Sequence, residues 1–244
     1  MSAKLLALNI GNTHTQLAVW EDGAFHDLRV HPTASFGPES LPAGWPVAAA
    51  CVVPSVRKAL AAARPDIFWV SAEVAAPFGL DKVDPSTLGA DRLANAAALL
   101  RLHPPPGIVL DCGTAITTEV VGPGPQFLGG AIAPGRRLTR MALNQHTAQL
   151  PLAPLSDELP ATLGANTLDA IRVGVDIGAL GMVKEIVAAG KALAGGECPV
   201  LVTGGDREFF LGRIPGLLRA PEDFTLRGVV ALWLHNQPGA GHAG

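Results

Sequence analysis

One short pattern occurs twice in this 244-residue chain. Leu5-Leu6-Ala7-Leu8-Asn9-Ile10-Gly11-Asn12-Thr13-His14-Thr15 is echoed by Ile108-Val109-Leu110-Asp111-Cys112-Gly113-Thr114-Ala115-Ile116-Thr117. In each copy an apolar run meets a polar residue, a glycine and then hydroxyl or amide side chains. Asn9 and Asp111, Gly11 and Gly113, and Thr15 and Thr117 all stand 102 positions apart. A constant offset indicates one strand–turn unit duplicated across two halves, with two similar loops facing one cleft. Glycine tolerates positive φ and close backbone approach, and successive amide N–H groups in such a turn can converge on an anion. Polyphosphate is the anion that two opposed loops suit.

The rest of the chain supports two α/β halves. Hydrophobic residues make up 48% and charged residues 16%, enough apolar material for packed cores. The net charge of −3 and the set of four Trp, eight Phe and no Tyr argue against a nucleic-acid footprint or a base-stacking platform. Cys51, Cys112 and Cys198 are too few and too scattered for a disulfide framework or a zinc knuckle, which suggests a reducing, cytoplasmic setting. No apolar run is long enough for a signal peptide or a membrane span, because Pro42, Pro46 and Pro54 interrupt the longest uncharged stretch.

Apolar patterning predicts strands over 4–8, 16–20, 25–30, 47–53, 67–70, 108–110, 117–121, 127–133 and 199–203. Helices are expected over 55–63, 90–102, 167–193 and 226–234. The run Pro104-Pro105-Pro106 cannot continue a helix and forms a stiff connector. It divides the chain into domains 1–104 and 105–244. Gly174, Gly178 and Gly181 weaken the 167–193 helix by roughly 1 kcal/mol each relative to Ala, so they imply either close core packing or a tight subunit contact.

Gly89-Ala90-Asp91-Arg92 opens the 90–102 helix. An acid there is either a cap and dipole partner or a base that accepts a proton from an alcohol, with Arg92 holding substrate oxygens in its planar fork. Asn12, Thr13, Thr15, Thr114 and Thr117 offer neutral donors to phosphates, and Asp111 offers a cation ligand. His14 is either a phosphate contact or a solvated loop residue. Gly204-Gly205, after an apolar strand, can admit a flat base against bare backbone or simply turn the chain.

Taken in order, the motifs resemble those of the type III pantothenate kinases along nearly the whole chain. They are Asn9-x-Gly11-Asn12-Thr13, Val52-Val53-Pro54, Gly89-Ala90-Asp91-Arg92 and Asp111-x-Gly113-Thr114-Ala115-x-Thr117. Further on come Gly129-Gly130 with Pro134-Gly135, Thr147-Ala148-x-Leu150-Pro151, Gly164-x-Asn166-Thr167, Thr203-Gly204-Gly205-Asp206 and Leu226-Arg227-Gly228. The resemblance implies two ribonuclease-H-like α/β domains with mixed sheets flanked by helices and a nucleotide cleft between them. It implies a homodimer that phosphorylates pantothenate with ATP and Mg2+, the first step toward coenzyme A. By the same resemblance, Asn9, Ile10, Gly11, Asn12, Thr13, His14, Thr15, Gln16 and Thr114 bind ATP phosphates, and Gly204 and Gly205 lie near the adenosine. Asp91 is the proton acceptor, with Gly89, Ala90 and Arg92 around pantothenate and Thr167 completing the pocket from the partner subunit. Asp111 binds the monovalent cation, K+ or NH4+.

The chain departs from the family pattern at three points. Asn9 stands where the first loop normally begins with Asp, and Glu119 stands where an Asp is common. The substrate-binding Tyr that precedes Gly-Ala-Asp-Arg has no counterpart, Lys82 or Val83 occupying that region. A catalytically impaired ligand-binding or regulatory protein is therefore the competing expectation. A sugar or acetate kinase is disfavoured, since the chain lacks the insertions those enzymes carry.

Overall fold

A computed structural model describes residues 4–159 and 163–238. These residues form two compact units. The first comprises residues 4–106, 121–128 and 221–238; the second comprises 107–120, 129–159 and 163–220.

The first unit is built on a five-stranded sheet. β1 (Leu5–Ile10), β2 (His14–Glu21) and β3 (Ala24–Pro32) form an antiparallel meander, and β4 (Val47–Cys51) and β5 (Phe68–Trp69) extend it in parallel beyond β1, in the order β3-β2-β1-β4-β5. Alternation along β1 sends Leu6, Leu8 and Ile10 into a cluster with Leu17, Phe36, Val47, Ala49 and Leu60. Each of these Leu, Ile, Val and Phe side chains, taken out of water, contributes roughly 1.5–3 kcal/mol. α1 (Pro54–Ala63) starts with a proline at its first position, where no backbone N–H is needed. α2 (Ala90–Leu102) ends at His103, just before the proline run.

A second sheet repeats this plan. β6 (Gly107–Cys112), β7 (Ala115–Val121), β8 (Phe127–Gly129), β10 (Val200–Thr203) and β11 (Leu217–Arg219) lie in the order β11-β10-β6-β7-β8, with β9 (Ile132–Pro134) pairing antiparallel to β7. β10 is parallel to both β6 and β11, as β4 is parallel to β1 and β5. Replacing β6, β7, β8, β10 and β11 by β1, β2, β3, β4 and β5 reproduces the first order strand for strand. The duplication inferred from the loops thus extends through the sheets. α3 (Arg136–Gln145), α4 (Thr167–Ala194) and α5 (Arg207–Leu211) complete the second unit.

Three expectations change. The 127–133 strand is two strands, because Gly129 takes φ +129° and turns the chain between β8 and β9. α3 was not anticipated: it is short, and the residues it buries are Arg136 and Arg140. The units also do not part at a single cut after residue 104. α6 (Phe224–His235) returns to the first unit, where an added Cβ on Gly228 would lie 1.7 Å from the Ala94 carbonyl oxygen. Only glycine allows this approach of α6 to α2, and a hydrogen bond from Thr225 Oγ1 to Asn95 Oδ1 at 2.8 Å, both residues buried, ties the same two helices.

Candidate active site

In the first unit, the β1–β2 turn is closed by the Gly11 N–H donating to the His14 carbonyl at 3.0 Å. Asn12, Thr13 and His14 are exposed at its tip, whereas Ile10 and Thr15 are fully buried and their side chains belong to the interior. The Gln16 amide donates to the Glu222 carbonyl at 2.8 Å. Asn9 sits at the end of β1, and its Oδ1 is buried without a hydrogen-bond partner. A buried acceptor left unpaired costs about 1–3 kcal/mol, so this oxygen is suited to an O–H or N–H donor brought by a ligand.

Thr33 holds this loop in shape, a role the sequence reading missed. Its N–H donates to the Thr13 carbonyl at 3.0 Å and its Oγ1 to the Gly11 carbonyl at 2.7 Å, while Oγ1 also lies 3.0 Å from Thr15 Oγ1. The signal in the sequence was only a threonine after Pro32, in a proline-rich segment with no readable periodicity.

The second loop is tighter. Gly113 N–H donates to the Ala115 carbonyl at 3.0 Å, two residues on, where Gly11 reaches three residues on. One residue is therefore missing from the second turn, and Thr15 and Thr117 are not structural equivalents despite their matching offset. Neither Gly11 nor Gly113 has positive φ. What requires glycine is close packing around the second loop. A Cβ on Gly135 would lie 2.4 Å from the Gly113 carbonyl oxygen and 2.7 Å from that of Thr114, and the Gly135 N–H donates to Thr114 O at 3.0 Å. Gly204 has φ +91°, and a Cβ there would lie 2.4 Å from Cys112 O and 2.6 Å from Asp111 Oδ1. The Asp206 N–H donates to Cys112 O at 2.9 Å. Asp111, Thr114 and Gly204 are thus brought together in the second unit, with the Gly204 backbone lying directly on the β6 end and Gly205 following it in the chain.

Asp91 stands in the first turn of α2, whose N-cap, Gly89, makes no side-chain capping bond. Its Oδ1 accepts from the Arg92 N–H at 2.8 Å. Gly89 leaves room for this carboxylate, since a Cβ there would lie 2.6 Å from Asp91 Oδ1. Burial pushes the Asp91 carboxyl up from its ordinary value, opposed by the Arg92 N–H and the Arg92 charge. A carboxylate held in one orientation and made more basic by its surroundings is suited to accept a proton. Arg92 lies over the Phe127 ring at 5.7 Å, and Phe127 in turn meets Phe78 at 6.3 Å. Lys82, in the region of the missing tyrosine, is exposed beside Asp81.

Cys112 is fully buried, and its thiol is held well above its ordinary pKa by burial and then by the charges of Asp111 and Asp206. It is a packing residue, not a thiolate nucleophile. Thr167 is exposed at the start of α4, where Asn166 Oδ1 caps the helix by accepting from the Asp169 N–H at 3.0 Å. Built Cβ atoms on Gly174, Gly178 and Gly181 meet nothing within 4 Å. The core-packing explanation of these glycines therefore fails: with the exposed Ile177 they form an open face of α4. Among the described residues no helix is long and apolar enough to cross a membrane.

This α/β architecture is shared with solved structures of low sequence identity. The structure of an Arthrobacter polyphosphate/ATP-glucomannokinase matches 96% of the chain and 100% of its own at TM-score 0.50 and 14% identity. That of a Campylobacter jejuni protein assigned to the Baf family of transcriptional activators matches 95% and 98% at TM-score 0.68 and 18% identity. Sequence comparison is more specific. The family model for type III pantothenate kinase matches residues 5–189. A type III pantothenate kinase of Thermus thermophilus is 36% identical over 94% of this chain and 98% of its own length, and that of Chlorobaculum parvum 34% identical over 92% of both. The chain belongs to the type III pantothenate kinase family.

Proposed function

We propose that this protein transfers the γ-phosphoryl group of ATP to the primary hydroxyl of pantothenate, giving 4'-phosphopantothenate in the first step of coenzyme A synthesis, and that it does so in the cytoplasm. The observation that carries the proposal is Asp91: a half-buried carboxylate of raised basicity, oriented by the Arg92 N–H, in the first turn of α2. Asp91 accepts the hydroxyl proton as the oxygen attacks phosphorus. Gly89, Ala90 and Arg92 surround the acceptor substrate, with Arg92 holding its oxygens.

Gly11, Asn12, Thr13 and His14 bind ATP phosphates, on a loop shaped by Asn9, Ile10, Thr15 and Gln16, and Thr114 is assigned the same role in the second unit. Gly204 and Gly205 border the adenosine. The donors in these loops are oxygens, which fit hard cations. The unpartnered Asn9 Oδ1 fits the hydration shell of Mg2+, and Asp111 fits K+ or NH4+. Bound Mg2+ spreads and neutralises charge on the transferring phosphoryl group. The open face of α4 supports a homodimer in which Thr167 of the partner subunit completes the pantothenate pocket. Asn9 also favours a second reading, a family member that binds these ligands without turning them over.

Phosphopantothenate formation from purified protein with ATP, Mg2+ and K+ or NH4+ tests the assignment. No turnover by folded protein at millimolar ATP overturns it in favour of the second reading. Asp91→Asn should lower kcat by about 10²-fold or more. It should also raise stability near neutral pH, because the raised pKa means that the fold disfavours the ionised form. Stability from protonated Asp91 is full below the unfolded-state pKa and is lost as pH rises through the folded-state pKa. The variant's advantage should therefore fade as pH falls into the carboxylate range, as followed by urea unfolding. A variant less stable than wild type at neutral pH would make Asp91 a helix cap instead.

A further inference from the structure

Arg136 is the side chain on which the segments around the second loop converge. It follows Gly135, whose backbone lies on the Asp111–Thr114 loop, and it is 1% exposed. Its Nε donates to Asp176 Oδ1 and its Nη1 to Asp206 Oδ1, both at 2.8 Å, and its Nη2 donates to the Ser156 carbonyl. The guanidinium stacks on Phe209 at 3.4 Å from the ring centroid. Asp206 and Phe209 flank the start of α5, directly after Gly204-Gly205. Arg136 therefore grips the glycine corner by a bond on one side and a stack on the other.

Charge balance makes the Asp206 contact more than an added hydrogen bond. Arg140, also 1% exposed, already donates from Nη2 to both oxygens of the fully buried Asp176, at 2.7 and 2.8 Å. Two buried guanidinium groups face one buried carboxylate, and an unbalanced buried charge is strongly unfavourable. Asp206, its side chain 18% exposed, supplies the second negative charge at 2.8 Å; Asp157, at 3.6 Å, is 73% exposed and screened by water.

We infer that Arg136 and Asp206 are positioning residues for the nucleotide, fixing the Gly204-Gly205 backbone against Asp111–Thr114 so that its placement sets ATP affinity. This rests on the reading of Gly204-Gly205 as the adenosine border. The ion pair touches no reacting atom, so its loss weakens nucleotide binding and leaves the acceptor substrate and the chemical step alone.

The test compares Asp206→Ala, which strands Arg136, with Asp206→Asn, which keeps an oxygen acceptor. In steady state Asp206→Ala should raise KM for ATP about tenfold or more while kcat and KM for pantothenate stay within about twofold, and Asp206→Asn, which restores the acceptor but not the charge, should recover part of the loss. Calorimetric titration with ADP, independent of turnover, should show the same order. Unchanged nucleotide affinity in Asp206→Ala, equal losses for both substrates, or an Asn variant no better than Ala would overturn the inference. Should Asp206→Ala not fold, Arg136→Lys keeps the charge but loses the fork and must show the same selective loss. Wild-type protein that neither binds ADP nor turns over overturns the nucleotide assignment itself, whereas a wild type that binds ADP beside a variant that binds it equally well overturns only the positioning role.

Discussion

The β1–β2 loop and the β6–β7 loop occupy the same place in sheets of the same strand order and are held by different physics. The first is fastened by a hydroxyl group, Thr33 Oγ1 on the Gly11 carbonyl, and leaves three residues exposed at its tip. The second is one residue shorter and is held by backbone contact with Gly135 and Gly204. The polar residue at the strand end differs too: an amide with an unpartnered oxygen at Asn9, a carboxylate at Asp111. The two sheets share a strand order, while their loops differ in fastening and in charge.

The largest effect should come from adding one methyl group to each loop system. Gly135→Ala and Gly204→Ala each force a Cβ to 2.4 Å from a backbone oxygen, and at Gly204 also into a left-handed conformation. Losses of about 3 kcal/mol or more are expected in denaturant unfolding. Gly11→Ala meets its nearest atom, the His14 carbonyl oxygen, at 3.2 Å with ordinary φ, and should lose no more than about 1 kcal/mol. Equal losses would mean that the two loops are fastened alike. Next in size is Thr33→Val, which removes the hydroxyl from the Gly11 carbonyl and from Thr15. A loss of about 1–3 kcal/mol is expected, with a raised KM for ATP if loop shape matters to phosphate binding; an unchanged midpoint would show that the Thr33 N–H suffices. The smallest change in structure is Asn9→Asp, which makes the loops alike in charge. In an active enzyme it should alter turnover by less than about tenfold, the equivalent of 1.4 kcal/mol, and lower the Mg2+ concentration for half-maximal rate. A much larger gain would show that Asn9 had disabled the wild type.

Much of this was legible because it is local. Apolar runs ending in Asn9-x-Gly11 and Asp111-x-Gly113 located two strand ends, and Gly89-Ala90-Asp91 marked a helix start. Partners distant in sequence were not legible. Arg136 and Asp176 lie 40 residues apart and are fully buried, yet charges on a helix ordinarily face water, so nothing in the sequence marked the arginine side of α3 as its buried side. The 104/105 boundary was read from the stiffest segment, but stiffness does not say where a later helix packs. Gly228 held that information, and its meaning emerges only with Ala94 opposite it.

The return of α6 to the first unit also bears on biosynthesis. The ribosome delivers β1–β5 and α2 early, but the helix that packs on α2 emerges only after the whole second unit has been made. Until then the α2 surface that receives Gly228 and Thr225 has no cover, and a nascent chain stalled anywhere before Phe224 carries an unfinished first unit. Folding of the amino-terminal half is thus gated by translation of the carboxy-terminal end, a delay that gives chaperones a defined apolar surface to shield.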